Sequence, residues 1–130
     1  MKRKILIIDD DQAVLEILHE WLSQDGFQVK AIPEIDNILD VINKFNPHLI
    51  LIDFLLKGTN GGELCYQIKS SYKYSFLPVI IFSAFPERVL SLERYRCDLF
   101  IQKPFDLNKL EQQINELISP KECDYVNHLT

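Results

Sequence analysis

The sequence has no long hydrophobic run. Its apolar segments are short, and none approaches the roughly 20 residues that a membrane-spanning helix needs. The first run, Ile5–Ile8, follows basic residues but ends at once in three aspartates, which excludes a signal peptide. We therefore expect no membrane-spanning segment and no membrane partner.

Cysteines are few and far apart. Cys65, Cys97 and Cys123 form no CxxC pair and no cysteine–histidine cluster with the spacing of a zinc site. An odd number of isolated thiols indicates a reducing compartment, since disulfides are rare there. We therefore expect a cytoplasmic protein.

Clustered positive charge is scarce. The chain has 14 lysines and arginines against 19 acidic residues, for a formal net charge of −5. Its basic run, Lys2–Lys4, is short and precedes an apolar segment. A nucleic-acid-binding surface needs a basic cluster, so we expect no direct nucleic-acid partner.

The length and composition suit one globular domain. The chain has 130 residues, of which 47% are apolar and 25% charged, and such a chain can bury a core without disulfides or a structural metal. We expect a domain over residues 1–119 and a polar tail over residues 120–130. This length leaves no room for a separate output domain, so a stand-alone domain is expected.

Short apolar runs alternate with segments of helical periodicity. Runs rich in β-branched residues predict strands at Ile5–Ile8, Phe27–Ala31, His48–Ile52, Val79–Phe82 and Leu99–Ile101. Helical spacing predicts helices over Gln12–Gln24, along a stripe from Ile35 to Ile42, around Leu64 and Ile68 after a loop at Lys57–Gly62, from Pro86, and after Asp106. Five strands joined by helical crossovers predict an α/β fold with a doubly wound parallel sheet.

Polar side chains follow four of the five strands. Asp9, Asp10 and Asp11 come after the first strand, one of them being expected only to cap a helix. The later strands are followed in turn by Asp53, Ser83 and Lys103. Function in parallel sheets concentrates at the carboxyl ends of the strands. The strand order cannot be observed in the sequence, but a central placement of these four strands would gather the side chains into one pocket.

That combination of side chains has a specific chemistry. Neighbouring carboxylates repel one another, and a hard divalent cation such as Mg²⁺ relieves the repulsion. The cation can also neutralise a phosphoryl group while a carboxylate attacks phosphorus. A lysine ammonium and a serine hydroxyl can bind the remaining phosphoryl oxygens.

The ordered set resembles the receiver domains of two-component signalling. The matching segments are Ile5–Asp11, Ile50–Asp53, Ile80–Ala84 and Lys103–Phe105, and the resemblance extends over about residues 2–119. It implies a flavodoxin-like (βα)5 fold with strand order 2-1-3-4-5. It also implies a phosphorylation-dependent signalling switch that catalyses its own phosphoryl transfer and dephosphorylation, without being a conventional enzyme.

The resemblance assigns a phosphoacceptor and a metal site. Asp53 would accept a phosphoryl group from the phosphohistidine of a sensor histidine kinase or a phosphotransfer protein. Asp9, Asp10, Asp53 and the backbone carbonyl of Leu55 would hold Mg²⁺ or Mn²⁺, and Lys103 would pair with Asp53.

Further roles follow from the same resemblance. Ser83, the backbone of Ala84, and Lys103 would bind the phosphoryl group, while Ser83 and Phe100 would form the switch. The peptide bond before Pro104 is expected to be cis, a minority state in general. A downstream protein would bind the face formed by the helix beginning at Pro86, the fifth strand and the last helix. The protein would be a monomer or a phosphorylation-dependent dimer.

Departures from the family pattern leave a second function open. Lys57 stands where proline is usual, Arg96 and Cys97 replace a usual Gly-Ala pair, and the segment between Ser83 and Lys103 is shorter than usual. The alternative is a degenerate receiver that acts as a phosphorylation-independent interaction module.

Two other functions are disfavoured. A phosphatase with an aspartate nucleophile usually carries a second acid two residues later, where this chain has Leu55. A flavin-binding protein needs a phosphate site at the first loop, and the acids there would repel the phosphate.

Overall fold

Strands and helices alternate along the chain as far as the fourth strand. The structure, a computed structural model, describes residues 2–84 and 95–119. The strands are β1 (Lys4–Ile8), β2 (Gln28–Ile32), β3 (Leu49–Asp53), β4 (Val79–Ser83) and β5 (Leu99–Gln102). The helices in the described ranges are α1 (Gln12–Gln24), α2 (Ile38–Phe45), α3 (Gly61–Ser70) and α4 (Leu107–Ile118). The helix expected from Pro86 and the expected tail fall outside the described residues.

The strands form one parallel sheet in the order β2-β1-β3-β4-β5. Helices α1 and α4 cover one face, where Leu18 and Ile114 are buried, and α2 and α3 cover the other, where Ile42 and Ile68 are buried. This arrangement confirms the expected doubly wound, flavodoxin-like α/β fold. None of the helices in the described ranges is long and apolar enough to cross a membrane.

Burial falls from the middle of the sheet to its edges. Every residue of β3 and β4 is buried, as their continuous apolar sequences predict. Strand β2 alternates between exposed and half-buried residues, which confirms its expected place at a sheet edge. Strand β5 forms the other edge and has no fully buried residue.

Each described helix begins after an Asp or Asn whose side chain accepts a backbone hydrogen bond. Asp11 caps α1, Asn37 caps α2, Asn60 caps α3 and Asp106 caps α4. Such caps satisfy amides that have no partner inside the helix. Two expected boundaries were wrong. Helix α2 begins at Ile38, three residues after Ile35. Helix α3 begins at Gly61, so the loop from Lys57 ends at Asn60 and not at Gly62.

The third strand is shifted by one residue from its expected position. It was expected at His48–Ile52, but it runs from Leu49 to Asp53. His48 instead precedes the strand, and its Nδ1 accepts a hydrogen bond of 2.9 Å from the Lys4 amide. Asp53 pairs with Phe82 of β4, so Asp53 is the last residue of the ladder rather than the first residue of a loop.

An ion pair between the buried Lys69 and the more exposed Asp98, whose side chain is 36% exposed, ties α3 to the start of β4 and β5. The Lys69 side chain is 8% exposed, and its ammonium lies 2.7 Å from Asp98 Oδ2. The same ammonium donates to the Leu77 carbonyl at 2.6 Å, and Asp98 Oδ2 also accepts from the Val79 amide at 2.7 Å. A buried charge is tolerated when it has such partners.

Removing the acid of this pair should destabilise the fold strongly. We expect Asp98→Ala to lower the free energy of unfolding by about 2 kcal/mol, because the Lys69 ammonium loses its carboxylate and the Val79 amide loses its acceptor. Asp40→Ala is the matched control, since its pair with Lys44 is exposed; we expect a loss below about 0.5 kcal/mol. Urea unfolding followed by circular dichroism measures both. Equal losses of unfolding free energy in the two variants would contradict a structural role for the pair of Lys69 and Asp98.

Candidate functional site

The register of the sheet brings the predicted polar residues together. Asp9 follows β1 beside Asp53, which ends the neighbouring strand β3. Ser83 ends β4 and pairs with Gln102 of β5, so Lys103 follows directly beyond that pair. The residues at the ends of these four strands therefore meet at the carboxyl edge of the sheet. Three of the strands are central as expected, but β5 is an edge strand.

Three carboxylates form the base of this pocket. Oxygen atoms of Asp9, Asp10 and Asp53 all lie within 4.8 Å of one another. Asp9 is completely buried and Asp53 is 7% exposed, whereas Asp10 is exposed. Carboxylate oxygens are the ligands that Mg²⁺ prefers, and an exposed Asp10 leaves the pocket open on one side.

Lys103 joins two of these carboxylates. Its ammonium lies 2.9 Å from Asp9 Oδ2 and 3.0 Å from Asp53 Oδ1, and 4.8 Å from the centre of the Phe82 ring. Its backbone amide donates to the Ser83 carbonyl at 2.8 Å. The sequence predicted a pair with Asp53 alone. The contact with Asp9 was missed, because no sequence signal gives the distance between the ends of β1 and β5.

Burial and the contacts within the pocket shift the pKa values of Asp53 and Lys103. Burial raises the pKa of Asp53 to about 6; the Lys103 hydrogen bond opposes the rise and the Asp9 charge adds to it. Burial alone would lower the pKa of Lys103, but its hydrogen bonds to Asp9 and Asp53 outweigh that effect and raise it. At neutral pH the nucleophile candidate is therefore mostly ionised beside a charged lysine.

The loop after β1 is held by its own aspartates. Asp9 Oδ1 accepts from the Asp11 amide at 2.9 Å, so both carboxylate oxygens of Asp9 have partners. Asp11 Oδ1 accepts from the Ala13 amide at 3.0 Å and begins α1. The expectation that one of the three aspartates only caps a helix is confirmed for Asp11.

The loop after Asp53 is closed by backbone contacts. The Gly61 amide donates to the Phe54 carbonyl at 2.7 Å, and Leu55 forms an antiparallel bridge with Asn60. A Cβ at Gly61 would lie 2.5 Å from the Asp53 carbonyl oxygen, so only glycine permits this approach. The loop thus returns to the end of β3, with Leu55 two residues after Asp53.

The remaining predicted residues lie in two regions. Ser83, Ala84 and Pro104 are at the ends of β4 and β5, and Phe100 is within β5. Ser83 is buried at the end of β4 and the exposed Ala84 follows it. Ala84, Lys103 and Pro104 line a cavity of about 460 Å³, and the Lys103–Pro104 peptide bond is cis. Phe100 is earlier on β5, where it is half-buried and packs against the core beneath α2 and α3.

The donor set fits a divalent cation. Three carboxylates face one ammonium group, which leaves an excess of negative charge that Mg²⁺ would neutralise. All the candidate ligand atoms are oxygens, and the set has no cysteine or histidine of the kind that favours zinc.

Comparison with known proteins gives a family and a set of similar folds. The sequence model of one protein family, the response regulator receiver domain, matches residues 5–115 of this chain. The receiver domain of NtrX from Brucella abortus is 27% identical, with 90% of this chain and 99% of that chain covered and a TM-score of 0.78. A CheY-like receiver domain protein from Methanospirillum hungatei is 26% identical, with 91% and 94% covered and a TM-score of 0.79. The chemotaxis response regulator CheY4 of Vibrio cholerae is 18% identical, with 90% and 99% covered, and its TM-score of 0.80 shows a shared fold.

The family match covers most of the chain, and it includes the acids, the serine and the lysine that meet at the sheet edge. The strand order is the one that the resemblance implied. The chain belongs to the family of response regulator receiver domains.

Proposed function

We propose that Asp53 accepts a phosphoryl group from the phosphohistidine of a sensor histidine kinase or a phosphotransfer protein. Receiver domains serve phosphorylation-dependent signalling and interact with histidine kinases and downstream effectors, which supports this role for a member of the family. The observation that carries the proposal is the Lys103 ammonium, which joins Asp53 to the buried Asp9 in a cluster of three carboxylates.

The carboxyl group of Asp53 is mostly ionised at neutral pH, which is the form that a nucleophile needs. Lys103 holds Oδ1 at 3.0 Å, so Oδ2 would be the attacking atom. A bond forms between this oxygen and phosphorus, the phosphorus–nitrogen bond of the phosphohistidine breaks, and its electron pair stays on the imidazole nitrogen. The product is an acyl phosphate. With a pKa of about 6, the carboxylate is mostly ionised at neutral pH and available for attack.

Asp9, Asp10, Asp53 and the Leu55 carbonyl would hold Mg²⁺, or Mn²⁺ in its place. Receiver domains typically bind Mg²⁺ in an acidic pocket, and the clustered oxygens supply one here. When bound, the cation would neutralise charge on the phosphoryl oxygens. Asp10 is the most accessible of the three acids and would be a direct ligand.

The other pocket residues would bind the transferred group. The Ser83 hydroxyl, the Ala84 backbone amide and the Lys103 ammonium would face the phosphoryl oxygens. Ser83 and Phe100 would then shift together and change the binding of a downstream protein at the face of β5 and α4. The protein would act as a monomer or a phosphorylation-dependent dimer. The unpaired thiols of Cys65 and Cys97 support a cytoplasmic location.

The pocket argues against a phosphorylation-independent module. Burial disfavours the ionised form of Asp53, so a neutral residue at this position would stabilise the fold. A protein that only binds partners has no use for such a group. Retention of the complete acid, serine and lysine set favours phosphorylation.

Asp53→Asn should abolish phosphorylation, because the amide cannot form the acyl phosphate. The test is incubation with acetyl phosphate and Mg²⁺, followed by intact-protein mass spectrometry. Asp11→Asn is the matched control: it makes the same chemical change nearby, and asparagine caps a helix as well as aspartate. We expect the control to be phosphorylated like the parent protein. Equal phosphorylation of Asp53→Asn would refute the proposed acceptor.

Asp10→Asn should weaken Mg²⁺ binding, since it removes one charged ligand from the cluster. We expect about a tenfold or greater rise in the dissociation constant, measured by calorimetry at neutral pH. Asp11→Asn again serves as the control and should bind Mg²⁺ like the parent. If the two variants lose the same affinity, the loss reflects overall charge and not coordination.

Metal-free protein should lose stability as Asp53 ionises. The unfolded carboxyl has a pKa of about 3.9 and the folded one a pKa of about 6. The protonated form therefore contributes its full stability below about pH 4, and this contribution is lost as the pH rises through about 6. The total is at most about 3 kcal/mol.

Asp53→Asn lacks this titration, so it should be the more stable protein at pH 7 and nearly equal to the parent at pH 4. Urea unfolding in the presence of a chelator, repeated across this pH range, measures the difference. Parallel stability curves for the parent and Asp53→Asn would contradict the raised pKa.

A further inference from the structure

Tyr95 lies shortly before β5 and fills the space over the first turn of α3. The residue is 8% exposed. Its ring packs against Phe54, with the ring centroids 6.0 Å apart and the planes tilted by 57°. A Cβ at Gly62 would lie only 2.6 to 2.7 Å from the Tyr95 ring atoms. The tyrosine ring thus occupies the volume that a side chain at position 62 would need.

One neighbour of this ring, Phe54, belongs to the loop after Asp53, and the other, Gly62, lies in the first turn of α3, where that loop ends. Phe54 directly follows Asp53, and its carbonyl accepts from the Gly61 amide to close the loop. Its own amide donates to the Phe82 carbonyl at 2.9 Å. The ring of Tyr95 therefore contacts the loop at Phe54, the residue between Asp53 and Leu55.

The residues after Tyr95 hold the other end of the same helix. The Arg96 guanidinium donates to the Lys69 carbonyl at 2.8 Å, and the Asp98 carboxylate pairs with the Lys69 ammonium at 2.7 Å. Arg96 adopts a φ of 63°, which is uncommon for a residue other than glycine. Residues 95–98 therefore contact α3 near its first turn and at its last turn.

We propose that Tyr95 is a positioning residue for the loop between Asp53 and Gly61. Its ring, seated on Gly62 and Phe54, holds the Leu55 carbonyl and the Asp53 carboxylate at the spacing that a cation needs. The proposal rests on the proposed function, in which these two groups bind Mg²⁺. Coupling between two sites is reciprocal, so binding at the pocket also restrains residues 95–98 and, through them, the start of β5.

Four variants separate positioning from simple core packing. Tyr95→Leu removes the ring, and Gly62→Ala displaces it without removing it. Tyr95→Phe keeps the ring that packs on Phe54 and Gly62, so it should keep the loop in place. Leu110→Ala is the control, because it opens a cavity in the core on the opposite face of the sheet.

The first measurement is amide hydrogen exchange of the metal-free proteins at Phe54 and Gly61, relative to Ile7 in β1. We expect about tenfold faster relative exchange in Tyr95→Leu and Gly62→Ala, because the loop opens locally without global unfolding. Tyr95→Phe and Leu110→Ala should match the parent. Gly62→Ala is decisive if Tyr95→Leu fails to fold, since alanine favours a helix over glycine and would slow exchange if the ring were unimportant.

The second measurement is Mg²⁺ affinity by calorimetry. We expect about a tenfold higher dissociation constant in Tyr95→Leu and Gly62→Ala, a typical effect of removing support behind metal ligands, and parental affinity in Tyr95→Phe and Leu110→Ala. Unchanged relative exchange in both ring variants would overturn the inference, as would parental Mg²⁺ affinity in both. If the parent itself binds no Mg²⁺, the proposed function fails. The exchange result then decides by itself whether Tyr95 holds the loop.

Discussion

The contact of one lysine with two buried carboxylates is the interaction on which the site depends. An ionised acid without solvent exposure costs several kcal/mol unless it is paired. Asp9 is tolerated because Lys103 and the Asp11 amide occupy its two oxygens. Since Lys103 follows β5 and reaches acids at the ends of β1 and β3, these strands must keep their register. The sheet order and the pocket therefore depend on each other.

Much of the fold is predictable because its central strands are buried on both faces. Their short, uninterrupted apolar sequences suit neither an amphipathic helix nor a loop. The bounds of α1, Gln12–Gln24, were also predicted. Asp11 caps its start, and Asp25 with Gly26, which has a φ of 97°, ends it. The errors occur where a local polar contact overrides apolar periodicity. Asn37 begins α2 although Ile35 continues the apolar stripe, and pairing with Phe82 extends β3 to include Asp53.

The site was predictable only in part. The ends of parallel strands must gather at one edge, so Asp9, Asp53, Ser83 and Lys103 could be grouped from the sequence together with the family resemblance. The contact between Lys103 and Asp9 joins the ends of β5 and β1, which are not neighbouring strands. It depends on how far the lysine side chain reaches across the sheet, which the strand order alone does not give. The packing of Tyr95 on Gly62 could not be predicted either. The sequence shows a glycine at position 62, but it does not show which side chain fills the space beside that glycine.

The gradient of burial across the sheet has a consequence for how such a protein can diversify. Strands β3 and β4 have no exposed position, so almost any substitution there disturbs close packing. The edge strand β5 has no fully buried residue, and most of α4 is likewise accessible. Substitutions at that edge should therefore change the free energy of unfolding little. The closely packed centre of the sheet, which ends at the proposed phosphorylation site, is thus separate from an edge that tolerates substitution. A new binding partner could be accommodated at that edge without changing the packing around Asp53.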